Sequence, residues 1–96
     1  MVRYQARMLD SVTGGEGVYT FEHREDLLKR PADEAVAAFF DYADREIFER
    51  GHLAYELNGV IKNKKQGAVV AIGQMHLEGE NNEEDLQPFT LFISRV

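Results

Sequence analysis

The sequence has 96 residues, no cysteine and a formal net charge of −6 at pH 7. A chain of this length makes one domain, here residues 1–96, and the lack of cysteine excludes disulfides and thiolate metal sites. The negative charge argues against nucleic-acid binding, which depends on neutralising phosphates with Lys and Arg. No apolar run resembles a membrane span or a signal peptide, so we expect a cytoplasmic protein with no membrane partner.

The first two segments with strand periodicity flank a turn-rich link. Residues 2–9 alternate apolar and polar side chains, and residues 18–24 do the same. Alternation with a period of two is typical of half-buried strands. The link DSVTGGEG, residues 10–17, is rich in turn formers but lacks the lysine and the helix start of a phosphate-binding loop. We therefore predict a β-hairpin.

Residues 33–48 form the only long segment with helical periodicity. Charged residues occupy one side of this helix and apolar residues form a stripe on the other, namely Val36, Phe39, Phe40, Ala43 and Ile47. Pro31 suits the first turn, acidic side chains follow it, and Gly51 can adopt the left-handed conformation that ends a helix. The pattern predicts one amphipathic helix that packs on an apolar surface.

Strand periodicity returns after Gly51. Residues 53–61 place Tyr55, Leu57 and Ile61 on one face, a polar turn follows at 63–67, and residues 68–77 and 89–96 are apolar on both faces. The order along the chain is therefore β-β-α-β-β-β, and short turns favour antiparallel neighbours. We predict an α+β fold with a single antiparallel sheet of about five strands and the helix packed on one face.

The last two strands carry apolar residues that one helix cannot cover. These residues point away from the predicted helix side, and they are Val70, Ile72, Phe92 and Val96. An exposed apolar patch marks an interaction surface. The sequence favours a homodimer that buries this face around a two-fold axis. The alternatives are a curved sheet that buries part of its own back, a ligand cavity, and a different protein partner.

Residues 78–87, EGENNEEDLQ, carry most of the net negative charge and no Lys or Arg. The segment lacks the alternating aspartates of a calcium loop, so we interpret it as a solvated loop. Its candidate contacts with a basic protein partner are Glu80, Glu83, Glu84 and Asp85. A small positive cluster occupies the turn before β-strand 68–77, and its simplest role is to keep a hairpin tip soluble; its members are Lys62, Lys64 and Lys65.

Two histidines each stand two residues before a glutamate, His23 before Glu25 and His76 before Glu78. If their strands were neighbours, the four side chains could form a site for zinc or another divalent ion. The pattern is short and occurs often by chance, so we predict no metal site and no cofactor. Nucleophile motifs are also absent, and we assign no catalytic residue.

The sequence therefore supports two hypotheses of different classes, and no motif identifies a family. The first is a small non-enzymatic interaction protein that self-associates through the uncovered sheet face. The second is a small-molecule-binding protein or a small enzyme with a pocket between helix and sheet. That pocket would use His23 or His76 as the general acid or base, and its lining residues would be Tyr19, Phe40, Tyr55 and Met75.

Overall fold

A computed structural model describes residues 1–10, 15–47, 54–78 and 84–96. The elements follow the order β1 (Val2–Asp10), β2 (Gly15–His23), a 3₁₀ turn (Leu27–Lys29), α1 (Ala32–Glu46), β3 (Ala54–Asn63), β4 (Ala68–Glu78) and β5 (Glu84–Arg95). The five described strands pair antiparallel in the spatial order β2-β1-β5-β4-β3. The predicted α+β fold, with one helix on one antiparallel sheet, is confirmed.

The two predicted hairpins form the two sides of the sheet, and β5 lies between them. β1 pairs with β2 and β3 pairs with β4, whereas β5 pairs with β1 on one side and β4 on the other. Ala6 of β1 lies opposite Ile93, and Ala71 of β4 lies opposite Leu91. The sheet is therefore one continuous layer with β2 and β3 at its edges.

β5 begins at Glu84, before the start predicted at Phe89. Its pairing with β4 extends to Glu84 opposite Glu78, which adds a stretch that the sequence analysis assigned to the acidic loop. Pro88 lies inside this stretch although proline cannot donate a ladder hydrogen bond. The described pairing of β5 with β1 ends at Phe89, so the described neighbour of Pro88 is Gln74 of β4.

Helix α1 covers one face of the sheet, called here the helix face. The predicted stripe is its buried side, since Val36, Phe39 and Ala43 are 0% exposed and Phe40 is 3% exposed. The rings of Phe40 and Tyr55 stack with centroids 4.2 Å apart, which joins the helix to β3. Pro31 occupies the N-cap position. The predicted helix end at Phe48 and the stop signal at Gly51 lie outside the described residues.

A buried tyrosine of β1 holds the connection between β2 and α1. Tyr4 is 0% exposed, and its hydroxyl donates to the Glu25 carbonyl at 3.0 Å and accepts from the Leu27 amide at 2.7 Å. A buried amide left without a partner costs about 1–3 kcal/mol. The hydroxyl therefore fixes the 3₁₀ turn against the end of the sheet.

Replacing Tyr4 by Phe removes the hydroxyl and keeps the ring that stacks on Phe21. We expect the free energy of unfolding to fall by about 1–3 kcal/mol, because the Leu27 amide loses its acceptor. Chemical denaturation followed by circular dichroism measures this loss.

Tyr42→Phe is the matched control for that substitution. The Tyr42 ring also stacks on Phe21, at 5.8 Å, and no described residue forms a hydrogen bond with its hydroxyl. This variant should unfold at the wild-type denaturant concentration. Wild-type stability of Tyr4→Phe would show that the hydroxyl does not hold the connection.

Candidate functional site

The face of the sheet opposite α1, called the back face, carries exposed apolar side chains on three adjacent strands. Ile61 of β3, Val70 of β4 and Phe92 of β5 lie side by side in register. Ile72 is the next residue of β4 on this face. Ile61 is 70% exposed, Ile72 is 56% exposed and Phe92 is 41% exposed. We call these four residues the apolar patch.

Further apolar side chains extend this surface toward β2. Leu9 of β1 and Val18 of β2 are 50% and 49% exposed. Arg7 lies between Phe92 and Val18 in register, and the methylene stem of an arginine can cover apolar surface while its head stays in water. The back face thus presents an apolar row that crosses all five strands, with one arginine in it.

The structure places the residues that the sequence assigned to the uncovered face. Val70, Ile72 and Phe92 lie on the back face, and Val96, at 70% exposure, follows the end of β5 with its amide bonded to the Arg3 carbonyl at 3.0 Å. Their role as an interface stays a prediction. The sequence analysis did not assign Leu9, Val18 and Ile61 to this face. The alternation along β1 and β2 already places Leu9 and Val18 on the side that points away from the core.

Ile61 reaches the back face because β3 contains a β-bulge. Leu57 pairs with Gly73 and Gly59 pairs with Ile72, so β3 has one extra residue between these pairs. An extra residue reverses the alternation beyond it. Tyr55, Leu57 and Val60 pack against the core, whereas Ile61 is exposed. The prediction that Ile61 shares a face with Tyr55 is therefore wrong.

The charged side chains of the back face are largely paired with one another. Arg3 lies 3.3 Å from the Glu22 carboxylate, and Arg7 lies 2.8 Å from the Glu16 carboxylate. Across β4 and β3, His76 Nε2 lies 3.6 Å from the Glu56 carboxylate, a contact that is an ion pair only when the imidazole is protonated. Exposed pairs of this kind contribute little to stability. They do balance the arginine charges on this face.

The strand order keeps the two histidines of the H-x-E pattern apart. β1 and β5 lie between β2 and β4, which separates them by roughly 14 Å at about 4.8 Å per strand. His23 lies on the helix side, where its Nδ1 accepts from the Glu25 amide at 3.1 Å, and His76 lies on the back face. The four-residue metal site therefore does not form. Within the described residues, no group of three His, Asp or Glu side chains could hold a metal ion.

The residues of the predicted pocket between helix and sheet pack into the core. Phe40 stacks on Tyr55, the Tyr19 ring lies 6.1 Å from the Phe39 ring, and Met75 is 0% exposed. Burial is the main cause that raises the pKa of Tyr55, followed by the nearby carboxylates of α1. His23 lies on the edge strand farthest from Tyr55, and His76 lies on the face opposite Met75.

The predicted acidic surface lies only partly within the described residues. Glu80 and Glu83 are outside them. Glu84 and Asp85 begin β5, where they pair with Glu78 and Leu77. Binding of a basic protein by this segment stays a prediction.

The described residues define an α+β protein with one helix on a five-stranded antiparallel sheet and an apolar patch on the opposite face. No protein-family model matches the chain, and neither curated proteins nor solved structures give a match. In residues 1–10, 15–47, 54–78 and 84–96, no helix has the length and apolar character needed to cross a membrane.

Gly73 permits the bulge in β3 because it has no side chain. A Cβ at this position would overlap the Glu56 carbonyl oxygen, which is backbone and cannot rotate away. We expect Gly73→Ala to lower the free energy of unfolding by about 1–3 kcal/mol, measured by chemical denaturation. A Cβ at Gly59 would meet no atom within 4 Å, so Gly59→Ala should change stability by less than about 0.5 kcal/mol. Equal losses in both variants would contradict this role of Gly73.

Proposed function

We propose that this protein is a small non-enzymatic interaction protein that self-associates through its back face, with a second copy of the chain as partner. The observation that carries the proposal is the apolar patch, which α1 cannot cover because it packs on the opposite face. Contiguous exposed apolar surface on a folded protein is typical of interaction sites. A chain without cysteine suits the reducing cytoplasm, where we place this role.

The dimensions of the sheet support a stable interface. β5 has 12 residues, which span roughly 40 Å, and five strands side by side span roughly 24 Å. A face of these dimensions measures at most roughly 960 Å², since the other four described strands are shorter than β5. A standard protein interface buries roughly 800 Å² per partner.

The charges of the back face favour a second copy as the occupant. Arg3 and Arg7 are paired with glutamates of the same chain, so a copy placed on this face meets ion pairs that are already formed. Burying an unpaired charge is strongly unfavourable, and this arrangement avoids it. In a two-fold interface each copy also contributes the same apolar patch, so the two surfaces match in polarity.

The position of Phe92 suggests how the copies meet. β5 is the central strand of the sheet, and Phe92 lies on its back face. A two-fold axis near the middle of the face would bring the two Phe92 side chains together, with Ile72 and Val70 around them. A few side chains near the centre of an interface, most often large aromatic ones or arginine, contribute most of its affinity. Stacked sheets pack about 10 Å apart, a distance that these side chains fill.

Sedimentation velocity at two protein concentrations about tenfold apart tests the proposal. For the wild type we expect a mass of twice the 11.0 kDa chain at both concentrations. Ile72→Glu places an unpaired carboxylate on each side of the interface, so we expect the dimer to weaken at least about a hundredfold. This variant should sediment as a monomer at the lower concentration.

Ala37→Glu is the matched control. It adds the same charge on the partly exposed side of α1, away from the back face, and should leave the dimer intact. Circular dichroism should show the same fold in all three proteins. A monomeric wild type at both concentrations would contradict the proposal, and so would an Ile72→Glu variant that remains fully dimeric.

A further inference from the structure

A positively charged cleft lies where the 3₁₀ turn meets the turn between β3 and β4. Its volume is about 560 Å³, within the roughly 300–1,000 Å³ typical of small-molecule sites. Its four cationic residues come from separate parts of the chain: Lys29 from the 3₁₀ turn, Lys62 from β3, Lys64 from the β3–β4 turn and Arg95 from the end of β5. Among the described residues that line it, Asp26 carries the one carboxylate.

Arg95 neutralises Asp26. The Asp26 carboxylate forms an ion pair with the Arg95 guanidinium and accepts a hydrogen bond from the Leu28 amide at 3.2 Å. The hydrogen bond from Arg95 is the main cause that lowers the pKa of Asp26 below its ordinary value, so the pair stays ionised at neutral pH. Three lysines are left in excess in this cleft, in a chain whose net charge is −6.

The three lysines have N–H donors available for a ligand. Lys62 Nζ donates to the Arg30 carbonyl at 2.9 Å, which fixes its ammonium at the cleft and leaves its other donors free to point elsewhere. Within the described ranges, the side chains of Lys29 and Lys64 form no ion pair or hydrogen bond. Like charges gathered in one cleft repel each other, and a bound anion relieves this repulsion.

The walls of the cleft are held by the fold rather than by the ligand. Asn63 Oδ1 accepts from the Gln66 amide at 3.2 Å, and Gly67 adopts a φ of +61°, so the β3–β4 turn has a defined shape. On the other side, the Tyr4 hydroxyl fixes the 3₁₀ turn. Leu28 adds apolar surface, and one of its methyl groups lies 3.6 Å from the position of a Cβ at Gly67.

We propose that this cleft binds a small organic phosphate, with Lys29, Lys62 and Lys64 around the phosphate and Leu28 against the organic part. A phosphate monoester carries roughly −1.5 to −2 charge at neutral pH, which matches several ammonium groups better than a single carboxylate does. Lysine is a common phosphate ligand because its ammonium acts as a point charge. The cleft lies on the helix side of the sheet, so this proposal does not depend on self-association through the back face.

Phenyl phosphate is the probe, and its binding is followed by ¹H–¹⁵N NMR titration of the full chain. We expect saturable shifts centred on the amides of Leu28, Lys29 and Gln66. Inorganic phosphate should bind more weakly because it has no apolar part. Benzoate, which has the same ring and a single charge, should bind more weakly because it interacts with fewer of the lysines.

Lysine substitutions distinguish a specific binding site from nonspecific attraction between charges. Lys64→Ala and Lys29→Ala should each weaken phenyl phosphate binding at least about fivefold. Lys65→Ala is the matched control, because it removes the same charge from the same turn but does not line the cleft; it should change affinity less than about twofold. Equal effects at Lys64 and Lys65, shifts that do not saturate, or benzoate binding as tight as that of phenyl phosphate would each overturn the proposal.

Discussion

In the part of the chain that the structure describes, one helix of 15 residues covers only one face of a sheet of five strands, and the character of both faces follows from this limit. Side chains alternate between the faces of a strand, so each strand that contributes to the core also sends residues to the back face. On the helix face, Tyr4, Val69 and Leu91 are fully buried. On the back face, β1 and β2 carry ion pairs, while β3, β4 and β5 carry the apolar patch. Among the described residues, α1 thus covers one face of the sheet, and the apolar patch on the other face is exposed.

The sequence predicted those parts of the fold that depend on local pattern. The two hairpins and the helix follow from alternation and helical spacing over short segments, and the burial of Val36 and Phe39 confirms the helix stripe. The position of β5 between β1 and β4 could not be predicted in the same way, because it depends on which hairpin edges remain to be paired. The bulge in β3 could not be predicted either, since it depends on the close approach of Gly73 to the Glu56 carbonyl. Ile61 was assigned to the wrong face for that reason.

The candidate surfaces differ in how much of them the sequence reveals. Ile72 and Phe92 could be found because their strands are apolar on both faces, a pattern visible within a few residues. The positively charged cleft could not be found from the sequence, because its charges lie at residues 29, 62, 64 and 95 and come together only after the sheet is assembled. The sequence analysis interpreted the cluster of Lys62, Lys64 and Lys65 as the charged tip of a hairpin. The structure divides this cluster, since Lys64 lines the cleft and Lys65 does not.

The central position of β5 also determines how the chain can fold. Each hairpin needs only contacts between residues close in sequence, but the sheet becomes continuous when β5 inserts between them, and Tyr4 then lies opposite Arg95, 91 residues later. Contacts of such long range are slow to form because the loop that they close is costly in entropy. Because β5 follows β4 along the chain and pairs with it from Glu78 opposite Glu84, the edges left unpaired before the sheet is joined are those of β1 and β5. Such edges are where strands of different chains pair wrongly. We therefore expect the pairing of β5 with β1 to limit the folding rate, and we expect the chain to be most prone to aggregation before that pairing forms.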